Sequence, residues 1–179
     1  MSCAFPKEQI DETVRFHGHH CPGLTIGIRA VELVQRELGE LDTLELVTVA
    51  ETDMCGVDAI QFLTDCTLGK GNFIHRDYGK RAFTFYDRKS GKGFRALLNE
   101  TGPAKPNECW QEAIDHFMTL PLDDMFTITR LDCPAPRPAQ VLESLHCAQC
   151  GELVMESRTR RYGGKTYCIP CFGEIDQKL

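Results

Sequence analysis

The sequence has no long hydrophobic run and no excess of basic charge. No stretch approaches the roughly 18 consecutive apolar residues that a membrane helix needs. A formal net charge of −6 disfavours a protein that coats nucleic acid, because such proteins usually present a basic surface. The opening segment, Met1–Glu8, lacks the basic-then-apolar pattern of a secretory signal. We therefore expect a globular protein that does not enter a membrane and stays in the cytosol.

Several common catalytic and nucleotide-binding motifs are also absent. The segments Gly69–Asn72 and Gly91–Gly93 look like anion-binding loops, but neither has the GxxxxGK[ST] spacing of a P-loop. The sequence has no HExxH pattern and no evident Ser/His/Asp arrangement. Lys70 could still contact a phosphate or a carboxylate, although a plain turn is the commoner role of such a segment.

Length and composition fit one ordinary domain and a small module. The 179 residues are 42% hydrophobic and 26% charged, which is enough to bury a core. Three alternating prolines, Pro134, Pro136 and Pro138, favour an extended connector. We predict a core domain over residues 1–134, a proline-rich linker over 135–145 and a second module over 146–179. The net formal charge differs across the boundary: it is −7 for residues 1–145 and +1 for residues 146–179.

In the core domain, helical and strand patterns of apolar residues follow one another. Helices are predicted over Pro6–Phe16, from Leu24 to Leu38 before Gly39, around Val57–Leu63, and over about Asn107–Met118. Strands are predicted over Leu44–Ala50, near Phe73, and over Ala82–Tyr86, Phe94–Leu98 and Met125–Leu131. Mixed elements in this order imply an α+β fold.

Ten cysteines are many for this length, and in a reducing cytosol they indicate metal ligation or thiol chemistry. Cys147 and Cys150 form one CxxC pair, and Cys168 and Cys171 form a second pair after a gap of 17 residues. This spacing is typical of a structural zinc site with four thiolates. A redox-active CxxC is disfavoured because one pair would suffice. Four unligated core cysteines are the remaining alternative.

The residues around the two CxxC pairs predict a treble-clef finger. Gly151 permits the left-handed backbone that a zinc knuckle requires, and Gly163-Gly164 predicts a hairpin turn. Pro170 can begin a terminal helix that ends near Leu179. So small a unit lacks a sufficient core, and we expect metal binding to contribute most of its stability.

The predicted hairpin of the finger carries a group of basic residues. Such charges near a turn are more often a solvated face than a nucleic-acid contact. Protein contact is therefore favoured over nucleic acid for this module. The basic residues are Arg158, Arg160, Arg161 and Lys165.

A second group of metal-capable side chains precedes the second helix. If the approach is extended, His17, His19 and Cys21 alternate onto one side and can meet one metal ion while His20 faces away. Pro22 suits a first helical turn and places Cys21 at the N-cap, where the helix dipole and free N–H groups favour the thiolate. We expect Cys21 to be acidic and nucleophilic.

Cys55 occupies a similar place, between a predicted strand and a predicted helix, and is expected to be activated as well. The two helix starts could face one cleft and form a His/Cys site with an open coordination position, as in reactive metal sites. Cys21, Cys55 and His19 are then the candidate catalytic residues. The alternative is that His19 and Cys21 only cap and pack.

The other cysteines have no partner at ligand spacing. Cys66 follows Cys55 by about three helical turns, too far for a shared ion, and is expected in the core. We interpret Cys3, Cys109 and Cys133 as packing or surface thiols.

Four motifs in this order resemble the FmdE family, which is named after a component of formylmethanofuran dehydrogenase. They are Phe16–Gly23 (FHGHHCPG), Cys55–Gln61 (CGVDAIQ), Gly69–Asn72 (GKGN) and Asp77–Lys80 (DYGK). The resemblance covers residues 10–100, and the finger resembles a treble-clef extension that some members carry. One departure is His20, where the family more often has an apolar residue, which leaves the ligand choice between His19 and His20 open.

The resemblance implies an α+β core with a mixed sheet flanked by helices, in a thioredoxin-like layout, and frequent homodimers. It implies a zinc-capable site at His17, His19, Cys21 and Cys55. Asp58, Gln61 and Lys70 are then expected to line it and bind substrate. In addition to the structural zinc of the finger, a second zinc or another transition metal is therefore expected in the core domain.

Three functions are compatible with these observations. The first is an accessory metal-binding protein that associates with a molybdenum or tungsten oxidoreductase and docks through its finger. The second is a zinc- or thiolate-dependent enzyme that acts on a small anionic substrate near Lys70. The third is a zinc-finger regulator that binds nucleic acid. The first is favoured slightly, because two metal sites are evident but little acid/base apparatus is.

Overall fold

The computed structural model describes residues 3–39, 44–100 and 110–175 and divides into two compact units, Met1–Pro138 and Ala139–Leu179. The first unit contains α1 (Lys7–His17), α2 (Pro22–Leu38), β1 (Leu46–Ala50), α3 (Gly56–Thr64), β2 (Phe73–His75), β3 (Ala82–Asp87), β4 (Lys92–Leu98), α4 (Trp110–Thr119), α5 (Leu122–Met125) and β5 (Phe126–Leu131). The second contains β6 (Ser144–His146), β7 (Leu153–Met155), a 3₁₀ turn (Glu156–Arg158), β8 (Thr159–Tyr162), β9 (Lys165–Cys168) and α6 (Ile169–Ile175).

Most predicted elements of the first unit are present within one or two residues of their predicted bounds. Helix α2 ends at Leu38, and Gly39 follows with a positive φ of 78°, as expected of a helix stop. The short helix α5 was not predicted, because four residues are too few to show a helical period. Residues 107–109 of the fourth predicted helix lie outside the described residues.

A five-stranded sheet has the order β2-β1-β3-β4-β5. Strand β1 pairs parallel with β2 through the α3 crossover, whereas the pairs β1-β3, β3-β4 and β4-β5 are antiparallel. The predicted mixed sheet is therefore confirmed. Since side chains alternate along a strand, Phe83, Phe85 and Phe94 share one face, and they are buried in the same core as the apolar side of α2. The α+β class is confirmed on the same evidence.

Helix α2 is held against the end of α4 by a buried arginine. Arg29 is almost fully buried and donates to the carbonyl oxygens of Met118 (3.3 Å) and Leu120 (2.8 Å). Carbonyls at a helix end have no partner within the helix, and a cation also suits the negative end of the helix dipole. Arg29 therefore fixes α4 relative to α2. Helix α4 starts at Trp110, whose ring lies beside the site described below.

The second unit contains a knuckle, a hairpin and a helix in the predicted order. Strands β6 and β7 pair around Cys147-Ala148-Gln149-Cys150, and β8 and β9 pair around Gly163-Gly164. Helix α6 then begins at Ile169; the predicted end near Leu179 lies outside the described residues. Strand β6 begins at Ser144, inside the segment predicted as linker. Within the described parts of the chain, no helix is long and apolar enough to span a membrane.

Candidate metal centres

Four side chains from three elements converge in the first unit. One donor atom from each of His17, His19, Cys21 and Cys55 lies within 4.8 Å of the others. His17 ends α1, Cys21 precedes α2 and Cys55 precedes α3, with His19 in the connector between the first two. We call these four residues the His/Cys cluster. The structure thus brings together the residues expected from the sequence.

Cys21 is the N-cap of α2, as predicted. Its backbone is extended (φ −141°, ψ 162°), Pro22 begins the helix, and the Leu24 N–H donates to Sγ at 3.4 Å. A free N–H at a helix start stabilises negative charge on the capping atom. The local sequence therefore places this sulfur at the start of α2, where it can serve as a metal ligand.

A close crossing of glycines brings Cys55 to Cys21, and sequence reasoning missed it. A Cβ at Gly27 would lie 2.2 Å from the Gly56 carbonyl oxygen, and a Cβ at Gly56 would lie 2.8 Å from the Gly23 carbonyl oxygen. Only residues without a side chain allow α2 and the start of α3 to approach this closely. The available signal was the pair of glycines four residues apart, Gly23 and Gly27, on one face of the helix.

Asp58 orients His17. The Asp58 carboxylate lies 2.7 Å from His17 Nδ1, while His17 Nε2 lies 4.0 Å from Cys21 Sγ. When a carboxylate accepts from one ring nitrogen, the other nitrogen is left free to ligate a metal. Asp58 was expected to contact substrate; its observed contact is with a candidate ligand.

His19 and His20 differ in surroundings. His19 is exposed at the mouth of the cluster, with its ring 4.6 Å from that of His17 and 6.1 Å from that of Trp110. His20 Nε2 instead pairs with the Thr25 hydroxyl at 3.1 Å, and burial lowers the pKa of His20. Of the two, only His19 belongs to the cluster.

The prediction that Cys55 has a lowered pKa is wrong for the thiol in this structure. Burial, followed by a hydrogen bond to Cys21 and the charge of Cys21, raises the pKa of Cys55. Unlike Cys21, Cys55 has a helical backbone (φ −47°, ψ −30°) and accepts no capping hydrogen bond. Two adjacent thiols cannot both ionise easily without a cation between them.

The donor set of the His/Cys cluster fits zinc. Imidazole and thiolate are ligands that zinc prefers, and four of them complete a tetrahedron. Ligands at the usual zinc distances place a nitrogen and a sulfur about 3.6 Å apart, near the 4.0 Å between His17 Nε2 and Cys21 Sγ. His19, at the exposed side, is the ligand that a substrate or a water could most easily replace.

Two further residues expected to bind substrate lie away from the cluster, Gln61 on α3 and Lys70 in the loop that follows this helix. Lys70 Nζ lies 3.1 Å from the Asp65 carbonyl oxygen and 3.4 Å from its carboxylate, beyond the carboxyl end of the helix, whereas Cys55 precedes its amino end. The nine residues of α3 separate these ends by about 13 Å, at 1.5 Å per residue. The Gln61 side chain accepts a hydrogen bond at 3.4 Å from the N–H of Leu68, which lies in the same loop as Lys70. The structure brings neither residue into the cluster.

The second unit gathers its four predicted thiols. The sulfurs of Cys147, Cys150, Cys168 and Cys171 lie within 4.8 Å of one another. The pair Cys150 and Cys168 is 4.0 Å apart, close to the roughly 3.8 Å of two thiolates on one tetrahedral zinc.

Backbone N–H groups point at these sulfurs. The Cys168 N–H donates to Cys147 Sγ and the Cys171 N–H donates to Cys168 Sγ, both at 3.4 Å. Backbone hydrogen bonds, from Cys168 first, lower the pKa of Cys147 to about 6. Conversely, a side-chain hydrogen bond to Cys168, followed by burial, raises the pKa of Cys171. The cluster therefore has one ready thiolate and needs a cation to hold all four.

The other cysteines that the structure describes lie outside both clusters. Cys66 is fully buried and its thiol donates to the Leu46 carbonyl oxygen, in the core position expected. Cys3 is partly buried, whereas Cys133 is exposed 3.8 Å from the Tyr86 hydroxyl. Cys109 lies outside the described residues.

Fold and donor clusters together define a class: a mixed α+β domain followed by a C4-type zinc finger. The chain belongs to the FmdE family, since residues 16–127 match the family described as "FmdE, Molybdenum formylmethanofuran dehydrogenase operon". Residues 142–177 match the "Prokaryotic dksA/traR C4-type zinc finger". The resemblance read from the motifs is thereby confirmed.

Two known proteins are similar over most of the chain. A crystal structure of a "tungsten formylmethanofuran dehydrogenase subunit e (fmde)-like protein" from Syntrophus aciditrophicus is 25% identical, with a TM-score of 0.70 over 97% of this chain and 95% of the other. A "Probable S-adenosyl-L-methionine-binding protein" of Archaeoglobus fulgidus is 27% identical over 88% of this chain. The match covers 50% of that relative, so the chain spans about half its length.

Proposed function

We propose that this protein is a metal-binding accessory factor that associates with a molybdenum or tungsten oxidoreductase of the formylmethanofuran dehydrogenase type. The His/Cys cluster is its functional metal site and the finger is its docking module. This role rests on family membership and on the name of the similar protein from Syntrophus aciditrophicus. A cytosolic location is part of the same proposal.

The observation that carries the proposal is the support that neighbouring groups give to the His/Cys cluster. His17 is oriented by Asp58 at 2.7 Å, and Cys21 is capped by the Leu24 N–H at 3.4 Å. Capping and packing alone do not require a carboxylate on the far nitrogen of a histidine that faces a sulfur. Metal ligands are commonly supported in this way.

The metal half of the proposal is tested by cobalt titration of the full chain without oxygen. The chain has one tryptophan, Trp110, and its ring lies beside His19, so its fluorescence should respond when the cluster fills. We expect two cobalt ions per chain, and the variant Cys21→Ser should bind one without a fluorescence change. Cys66→Ser, a thiol outside both clusters, is the matched control and should bind two.

The partner half is tested by affinity purification of the tagged protein from its native host without oxygen. We expect an oxidoreductase to co-elute with stoichiometric molybdenum or tungsten. The finger variant Cys147→Ser/Cys150→Ser should lose this partner, whereas Cys21→Ser should retain it. Recovery of the partner in equal amount with the finger variant would contradict the docking role.

A second candidate is a zinc- or thiolate-dependent enzyme that acts on a small anion. The place of His19 at the exposed side of the cluster favours it, since catalytic zinc sites offer one coordination position to water or substrate, and this ligand is the one to give way. S-adenosylmethionine is one compound to test, because the relative from Archaeoglobus fulgidus carries that name. If a substrate reaches the metal, it should alter the visible spectrum of the cobalt protein. An unaltered spectrum with every probe would favour the accessory role.

A further inference from the structure

The loop between β2 and β3 crosses the strand end that leads to the His/Cys cluster. Because β2 and β3 lie on opposite sides of β1, residues 76–81 must pass over the carboxyl end of β1. The Arg76 N–H donates to the Ala50 carbonyl oxygen (2.8 Å) and the Lys80 N–H to that of Glu51 (2.9 Å). We call residues 76–81 the basic loop. From the same strand end the chain continues through residues 52–54 to Cys55.

Three cations of the basic loop lack an ion-pair partner. Arg76, Lys80 and Arg81 are exposed, and within the described ranges none has a carboxylate within salt-bridge distance. Asp77, also in this loop, is exposed, as is Asp53 in the neighbouring loop. The charge of the basic loop itself remains net positive.

The pKa of the nearest buried carboxylate, Glu51, is lowered by its hydrogen bonds from Arg95 and, to a smaller extent, by the charges of Lys80 and Arg76. Glu51 is buried and accepts from Arg95 Nε at 2.6 Å and from a second Arg95 nitrogen at 2.9 Å, a bidentate pair. Elsewhere in this acidic unit some cations have carboxylate partners, as Lys70 has in Asp65 and Arg36 in Asp123. The distinct feature of the basic loop is its place, since it lies across the strand end that leads to Cys55.

A surface concavity adjoins the basic loop. Lys80 and Arg81 contribute to it, together with the ends of β4 and the segment that follows. Its lining residues are Lys80, Arg81, Leu97, Leu98, Asn99 and Glu100. A ligand that rests there can present an anionic group to the loop.

We propose that the basic loop binds the carboxylate or phosphate group of a small ligand whose other end reaches the His/Cys cluster. Arg and Lys side chains are the usual partners of such oxyanions, and an otherwise acidic domain needs local cations to attract one. Ala50 and Cys55 are five Cα-to-Cα steps apart, which limits their separation to about 18 Å, within reach of a metabolite and an arginine side chain. This inference rests on the proposed metal site for the ligand's second end. It moves the anion-binding role from Lys70, at the far end of α3, to Arg76, Lys80 and Arg81.

The test is calorimetric titration of the cobalt-loaded full chain at low ionic strength. Inorganic phosphate and succinate are the probes, one for each source of oxyanion. We expect at least one to bind, and Arg76→Gln/Lys80→Gln to weaken that binding about ten-fold or more, the loss of one charge-assisted contact. Lys70→Gln is the matched control and should change the affinity less than two-fold. The probe that binds more tightly identifies the chemical class.

The inference is overturned if neither anion binds with a Kd below about 1 mM. It is also overturned if the double variant binds as tightly as the parent, or if Lys70→Gln weakens binding equally. Circular dichroism and cobalt content of each variant separate loss of fold from loss of the anion site. If cobalt fails to occupy the His/Cys cluster, the metal site is wrong, while the calorimetric comparison still decides on the basic loop.

Discussion

At the scale of single residues, ligands and their supporting groups have different sequence signatures. His17 and Cys21 stand out because they are metal-capable types at short spacing. Asp58 does not, since its role follows from a contact across 41 positions of the chain. It was expected near the site from the family resemblance, but only the folded chain shows which atom it contacts.

Replacing Asp58 by Asn should weaken metal binding at the His/Cys cluster 10- to 100-fold, the usual cost of losing the group that orients a metal-binding histidine. The amide cannot hold His17 Nδ1 as a charged acceptor does. Competition with a chelator of known affinity measures the change, and the finger metal serves as an internal reference. Asp65→Asn, at the other end of the same helix, should have no effect; equal losses in both variants would refute the supporting role.

Glu51 and Arg95 form a partly buried ion pair whose contribution to stability depends on pH. Hydrogen bonds from Arg95 hold the pKa of Glu51 below its usual 4.5. Because the pKa is lower in the folded state, the stabilisation is complete above about pH 4.5 and is lost as the pH falls through the folded value. This stabilisation is present at neutral pH.

Glu51→Gln should therefore lower the free energy of unfolding by about 3 kcal/mol at pH 7, because Arg95 keeps a partly buried, unpaired charge. The difference from the parent should shrink at pH 3.5. Urea unfolding at both pH values checks this. Asp123→Asn removes an exposed ion pair and should cost less than about 1 kcal/mol. An equal effect of Glu51→Gln at both pH values would contradict the assignment.

At the scale of elements, the crossing of α2 and α3 decides whether the cluster exists. Each helix start carries its own cysteine, and local sequence explains the cap at Cys21. The distance between the two starts depends on Gly27 and Gly56, which lie in contact where any side chain would clash.

Gly27→Ala tests this crossing. Alanine should gain about 1 kcal/mol in helix propensity, but a Cβ 2.2 Å from a backbone oxygen forces the helices apart, at a cost of about 3 kcal/mol. We expect a net loss of stability and weaker metal binding at the His/Cys cluster, measured by thermal unfolding and chelator competition. Gly69→Ala meets no atom within 4 Å and is the control. A more stable variant with unchanged metal affinity would show that the crossing is not restrictive.

At the scale of the whole molecule, the two units are expected to hold their metals separately. A chain truncated after Gln140 should keep one metal ion of two and still melt cooperatively, since the core of the first unit is continuous. Metal analysis and calorimetry measure both. If the truncated chain keeps all the metal, the finger assignment is wrong; if it aggregates, the units share one core.

What the sequence by itself determined is local. Two CxxC pairs and the turn at Gly163-Gly164 specify the finger, because ligand and turn geometry depend on neighbouring residues. Likewise, Cys21-Pro22 specifies a capped helix start, and apolar periodicity placed the longer helices and the strands of the first unit. The short elements α5 and β6 were missed because three or four residues carry no period, and the equally short β2 was predicted only as a position near Phe73.

Only the tertiary structure decided which residues that are distant in the sequence come into contact. It separated Lys70 from the cluster, paired Asp58 with His17, and set the basic loop across the end of β1. It also reversed the expectation for the Cys55 thiol, whose pKa is raised by burial and by Cys21 rather than lowered by its helix. These outcomes depend on strand order and on the close approach of glycine backbones, which join residues far apart in sequence and leave no local pattern.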